Sequence, residues 1–251
     1  ERVTPSFALR DLMLSYYYKH PDSGMFFFRN GINEAEIGLF STTYPELNAA
    51  SDLFRLKPPQ CHTLFYYIPP TPAEDNMKWP WKETTYYFES HPEYFSMNAA
   101  GKRVPNMQLC FANPELRREL TRRFLERVER EGGRGYFNLS AMDWGGAFCQ
   151  CDGCKALTAK YRSNGGPLFD YLIELAGKVK ARFPEAGIST LAYRKVQSEA
   201  PPVVEGRLPD NLMVIFAPID DNFGSDWRAQ DNAETAQHLR DWCKIAKVTV
   251  W

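Results

Sequence analysis

NPELRRELTRRFLERVEREGGRGYFNLSAMD, residues 113 to 143, holds one complete helix-then-strand unit, and its reading decides the fold class. Asn113 is a residue type that caps helix N-termini, and Pro114 suits a first helical position. Leu116, Leu120, Phe124 and Val128 recur every four residues and lay one apolar stripe along a helix over Glu115 to Glu131. Gly132 and Gly133 stop that helix. Tyr136 to Ala141 then reads as a strand, and Asp143 follows it within two residues.

The same alternation extends in both directions. Strand-like runs are expected at Phe7 to Leu14, Thr63 to Ile68, Ile188 to Tyr193, Leu212 to Ala217 and Val248 to Trp251, with a weaker one near Phe26 to Asn33. Most are nearly continuous in apolar residues, the mark of strands covered on both faces. Further helices are expected over Leu168 to Phe183, with Leu168, Leu172, Leu175, Val179 and Phe183 inward, and over Ala233 to Ala246, with Ala236, Leu239, Trp242 and Cys243 inward. Pro45 to Leu56 is a shorter candidate. Strand and helix in turn predict an α/β fold with a parallel sheet. The count suits a (β/α)8 TIM-like barrel forming a single domain over residues 1–251. The ends, ERVTPSF and KVTVW, read as cuts inside a longer chain, so the barrel is expected to be truncated at its C-terminal end, after the start of the seventh strand. A doubly wound open sheet is the alternative. Neither a Gly-x-Gly-x-x-Gly nor a Walker loop is present, which counts against nucleotide binding.

The totals exclude some functions. A net charge of -1 gives no general attraction to nucleic acid. The apolar runs are too short to span a membrane. Aromatic residues reach 14%, enough to fill a core and also to furnish platforms for sugar rings.

In a barrel, function gathers where strands end and loops begin. Asp143 stands at such an end beside Trp144, Gly145 and Gly146. It reads either as a substrate or acid/base carboxylate or as a loop cap. Asp220 and Asp221, in PIDDNF, read as a paired acid site or as a solvated turn. Only one of two adjacent side chains in an extended segment need face inward. The loop from Trp79 to Phe95, with Trp79 and Trp81, either stacks on sugar rings or packs over the barrel mouth. Four histidines without a ligand pair argue against a histidine-built catalytic zinc, and no nucleophile elbow supports a serine triad.

Cys149, Cys151 and Cys154 offer three soft ligands within one loop, and Cys110 in QLCFANPE could complete the four that tetrahedral zinc needs. A structural zinc is one reading. Free thiols plus one disulfide, or a disulfide joining two loops, are the others. Cys151-x-x-Cys154 is not expected at a helix start in the thioredoxin manner. Cys61 and Cys243 are expected as ordinary buried thiols.

Taken together, HTLFYYIPP, ESHPEYFSMNAAGKRVPNMQLCFANPELRREL, YFNLSAMDWGGAFCQCDGCKAL, ISTLAYRKVQSEAPP and HLRDWCKIAKVTVW resemble glycoside hydrolase family 163, whose barrel is similar to those of α-glucuronidases and hexosaminidases. The resemblance implies a secreted, periplasmic or cell-surface endo-β-N-acetylglucosaminidase acting on complex N-glycans, with no cofactor for catalysis. It also implies a retaining mechanism in which the substrate's own N-acetyl carbonyl attacks the anomeric carbon. Asp143, Asp220 and Asp221 are then the candidate catalytic carboxylates. Trp144, Tyr193, Arg10, His62, Trp79 and Trp81 are the candidate substrate contacts. At the PIDD position the family pattern has a glutamate in place of the first aspartate, so Asp220 is one methylene shorter. A barrel that keeps its aromatic rim and binds glycans without cleaving them is the competing reading.

Overall fold

The computed structural model describes residues 61–72, 85–143, 148–222, 224–226 and 229–250. The expected elements at Phe7 to Leu14, Phe26 to Asn33 and Pro45 to Leu56 lie outside these, as do Arg10, Trp79, Trp81 and Trp144.

The fold is mixed α/β around a parallel sheet. Four strands, β1 (Arg134–Asn138), β2 (Glu185–Tyr193), β3 (Leu212–Ala217) and β4 (Lys247–Val250), pair in chain order, each beside its successor. The register sets Asn138 against Ser189 and Tyr193 against Ala217. All strands point the same way, so their C-terminal ends share one edge of the sheet. β3 is buried along its whole length, and β2 from its second residue on, as continuous apolar runs demand.

Helix α1 (Leu64–Tyr67) is a single turn. Helix α2 (Pro114–Arg130) precedes β1, α3 (Asp152–Tyr161) and α4 (Gly166–Arg182) lie between β1 and β2, and α5 (Ala233–Ile245) leads into β4. Asn113 caps α2 by accepting the N–H groups of Glu115 and Leu116. Leu116, Leu120, Phe124 and Val128 are fully buried, each contributing about 1.5–3 kcal/mol of burial. Gly132 and Gly133 take positive φ and end the helix, with the Gly133 N–H returning to the Val128 carbonyl. Among the described residues, no helix is long and apolar enough to cross a membrane.

Three expectations need correction. Thr63 to Ile68 is not a strand: Leu64, Phe65, Tyr67 and Ile68 are buried at helical spacing, and the Thr63 and Leu64 N–H groups both donate to the Ser140 carbonyl. Period cannot be read from so continuous an apolar run. Helix α3 was not expected, yet it places Cys151 at its N-cap and Cys154 in its first turn. Cys243 is exposed, because α5 turns Thr235 and Trp242 to the core instead, and Cys61 is only partly buried, against Leu191, Tyr193, Ile215 and Ala217.

Candidate active site

The polypeptide runs on beyond β1 toward Asp143 under tight control. The Leu139 N–H bonds the Ser189 carbonyl, and Ser140 Oγ accepts the Leu191 N–H at 3.0 Å. Below, Thr63 Oγ1 donates to Asn138 Oδ1 at 3.0 Å while Asn138 Nδ2 donates to Ser189 Oγ at 3.2 Å. A fully satisfied buried network of this kind fixes one register. Gln108, wholly buried, clamps Met142 at both ends: its amide donates to the Met142 carbonyl and accepts the Met142 N–H, both at 2.9 Å. Asp143 is the next residue, so its backbone is held while its side chain stays half-exposed.

Tyr193, the last residue of β2, donates its hydroxyl to Asp143 Oδ1 at 2.6 Å. Burial, then this hydrogen bond, pushes the Tyr193 hydroxyl above its ordinary value, so it stays a donor at neutral pH. His62 meets the Tyr193 ring edge-on at 5.0 Å between centroids, and its Nε2 lies 3.9 Å from Asp143 Oδ1. A carbonyl only accepts, so the 2.7 Å contact to the Ala141 carbonyl fixes the His62 proton on Nδ1. Burial is the largest influence on this ring and lowers its pKa below 6.5, against the pull of Ala141 and Asp143. The guanidinium of Arg194 lies 5.6 Å from the Tyr193 ring centroid, and Tyr193 first, then Asp220 and Asp143, favour its charged form.

His62 and Arg194 both take positive φ, 63° and 49°. Such backbone costs non-glycine residues free energy and gathers at functional sites. The five-residue π-helix Arg194–Ser198 starts at this point, a device that also favours such sites.

The two aspartates after β3 part company. Asp220 is exposed and accepts the Lys195 backbone N–H at 3.0 Å, on the side of Arg194. Asp221 turns to Thr235 of α5, which donates to its Oδ1 at 2.5 Å. Thr235 also lies 3.2 Å from Glu199, a fully buried acid that meets His238 Nδ1 at 2.8 Å. Asp221 thus joins a brace between the π-helix and α5. The structure brings Asp143, Tyr193 and His62 together and sets Asp220 beside them through Arg194. In the described part of the aromatic loop, Tyr87, Tyr94 and Phe95 are buried, so they pack.

Arg194, Gln108 and Glu199 were not singled out from sequence. The only signal for Arg194 is its place directly after the strand-like run Ile188 to Tyr193. Gln108 and Glu199 carry none, because their roles depend on burial.

The cysteines form a second cluster, Cys149, Cys151 and Cys154 following Asp143 in the chain and Cys110 joining them from the approach to α2. The sulfurs of Cys110, Cys149, Cys151 and Cys154 all lie within 4.8 Å of one another. Cys149 sits below the ordinary thiol range because Cys110, Cys154 and the N–H groups of Met97 and Cys151 donate to it.

A family profile described as "Domain of unknown function (DUF4838)" matches residues 71–251. No curated protein matches the chain. A solved structure, the β-N-acetylhexosaminidase from Bacteroides fragilis NCTC 9343, is similar over 64% of this chain and 29% of its own, at 16% identity and a TM-score of 0.40. The chain therefore spans less than a third of that protein, and a likeness at this level does not carry an activity across.

Proposed function

The chain belongs to the DUF4838 family, and from that premise we propose that it is a glycoside hydrolase: a retaining endo-β-N-acetylglucosaminidase on complex N-glycans, working by substrate-assisted catalysis at the C-terminal edge of a barrel sheet. The observation that carries the reading is the Tyr193–Asp143 hydrogen bond, 2.6 Å, between the end of β2 and the extension beyond the neighbouring parallel strand β1, with Arg194 over the tyrosine ring. The likeness of the sequence to glycoside hydrolase family 163 supports it. The chain-order pairing of β1 to β4 is the order a barrel wall takes.

In this reading Asp143 accepts the acetamide N–H of the substrate, with Tyr193 fixing the carboxylate's rotamer. The acetamide carbonyl oxygen attacks the anomeric carbon as the glycosidic C–O bond breaks. Asp220 gives its proton to the leaving oxygen. Water then opens the cyclic intermediate at the anomeric carbon, returning the original configuration. Asp221, held by Thr235, supports the β3 end, so the acid's role goes to Asp220. Glycan cleavage fits a secreted, periplasmic or cell-surface setting.

The test is hydrolysis of a complex N-glycan and of a chromogenic β-N-acetylglucosaminide by the full chain, beside Asp143→Asn and Asp220→Asn. Cleavage by wild type, with a loss of about 10²- to 10⁴-fold in each variant, is expected. Glycan binding without cleavage by wild type overturns the enzyme and leaves the binding barrel.

A further inference from the structure

We propose that Cys110, Cys149, Cys151 and Cys154 bind one zinc ion in a closed tetrahedral thiolate site that pins the Asp143 loop. Tetrahedral zinc with Zn–S bonds of about 2.3 Å requires sulfurs about 3.8 Å apart. Cys110 Sγ lies 3.6 Å from Cys151 Sγ and 3.9 Å from Cys154 Sγ, and the four sulfurs fall within 4.8 Å of one another. None of the four is in a disulfide, where sulfurs sit about 2.05 Å apart.

The surroundings are those of a charged centre. Four thiolates around a divalent ion carry a net double negative charge. Arg103 Nη1 donates to the Phe95 carbonyl at 2.7 Å, and this anchor brings the guanidinium to 3.5 Å from Cys149 Sγ. The Met97 N–H donates to the same sulfur at 3.2 Å. Cys151 and Cys154 stand at the N-terminus of α3, ten residues long, where its dipole favours negative charge. Three sources of positive potential therefore converge on the sulfurs. Hydrogen bonds from a backbone N–H and an arginine are what thiolate ligands take as outer partners.

Four protein ligands leave no open position, so the ion would be structural. Its place explains its use. Cys149 is six residues beyond Asp143, Cys110 stands just before α2, and the Gln150 N–H bonds the Met97 carbonyl at 2.8 Å. One ion ties the loop after β1 to the start of α3, to the approach to α2 and to the Met97 turn. Binding releases the protons of those thiols still protonated, four at most, and leaves each sulfur coordinated. The inference stands whether or not Asp143 cleaves a glycan.

The test is elemental analysis of the full chain, purified without chelator and dialysed extensively. About one zinc per chain is expected, falling several-fold in Cys154→Ser and unchanged in Asp143→Asn. Native thiol titration should report Cys61 and Cys243 and miss the other four until a strong chelator is added. If Cys154→Ser does not fold, the wild-type chain refolded with Co(II) keeps the question open to a decision, since a tetrahedral cobalt–thiolate spectrum is required. Zinc-free protein, iron in its place, four freely reactive thiols or a disulfide found by mass would each overturn the proposal.

Discussion

Tyr193 and Asp143, fifty residues apart in the chain, share one hydrogen bond of 2.6 Å across the ends of β2 and the β1 extension. Neither end alone makes a site. The parallel pairing that sets Asn138 opposite Ser189 brings the two ends side by side, and the Ser140–Leu191 bond keeps them there. Register thus becomes carboxylate geometry. The tyrosine is buried while the carboxylate is half-exposed, so a ligand reaches the aspartate and the protein holds it from behind.

Removing the tyrosine hydroxyl isolates that relationship. In Tyr193→Phe the ring stays and one hydrogen bond to a charged group goes, worth about 1.5–3 kcal/mol. Cleavage of a β-N-acetylglucosaminide should fall about 10- to 100-fold, mostly in kcat, because the carboxylate is no longer held in one rotamer. The urea midpoint should move little. An unchanged kcat would separate Tyr193 from the chemistry.

Gln108 holds the backbone one residue before Asp143. Gln108→Leu keeps much of the volume and removes both halves of the clamp on Met142. The Met142 carbonyl retains Gln197 Nε2 at 3.1 Å, but the Met142 N–H loses its partner in the core. A cost of about 1–3 kcal/mol should follow, read as a lower urea midpoint at constant slope.

Much of the fold was legible because its patterns were local. The stripe Leu116, Leu120, Phe124, Val128 and the cap at Asn113 specified α2, and β3 appeared from Leu212 to Ala217 as read. What failed lacked a period. Thr63 to Ile68 is apolar throughout, and α3 buries only Cys154 and Tyr161, leaving no stripe to see. At the candidate site, strand-end logic picks out Asp143, and the family resemblance points to Tyr193. It could not divide Asp220 from Asp221, since their separation depends on Thr235 and Lys195, far away in sequence. The left-handed backbone of His62 and Arg194 has no sequence signature in residues of those types.

Gly187 marks a close approach within the sheet. A Cβ there would lie 2.6 Å from Tyr136 Cε1 and 2.9 Å from the Asn211 carbonyl oxygen. Tyr136 is its partner across β1 and β2, and the Asn211 carbonyl is held by the Ile188 N–H, so neither can withdraw freely. Gly187→Ala should cost about 1–3 kcal/mol by overpacking. Adding Tyr136→Ala should recover part of the loss, as contacting residues couple. Equal midpoints for wild type and Gly187→Ala would show that the strands spread at no cost.

Acid should weaken the fold through His62. The ring is buried, its Nδ1–H is spent on the Ala141 carbonyl, and it faces Asp143, Tyr193 and Arg194. Burial holds its pKa below 6.5, so the folded chain binds this proton more weakly than the unfolded chain does. Above pH 6.5 both states are neutral and the stabilisation is fully present. As pH falls below that value, the unfolded chain takes up the proton and the folded chain does not. Stability then drops by up to about 1.4 kcal/mol per pH unit, until the folded ring itself titrates. Asparagine tolerates left-handed backbone and can offer an N–H to Ala141 from a similar position. His62→Asn should therefore keep much of the neutral-pH stability and lose this part of the acid slope. Urea midpoints followed from neutral pH downward measure the difference. Parallel curves for the two proteins would mean that His62 takes its proton as easily folded as unfolded.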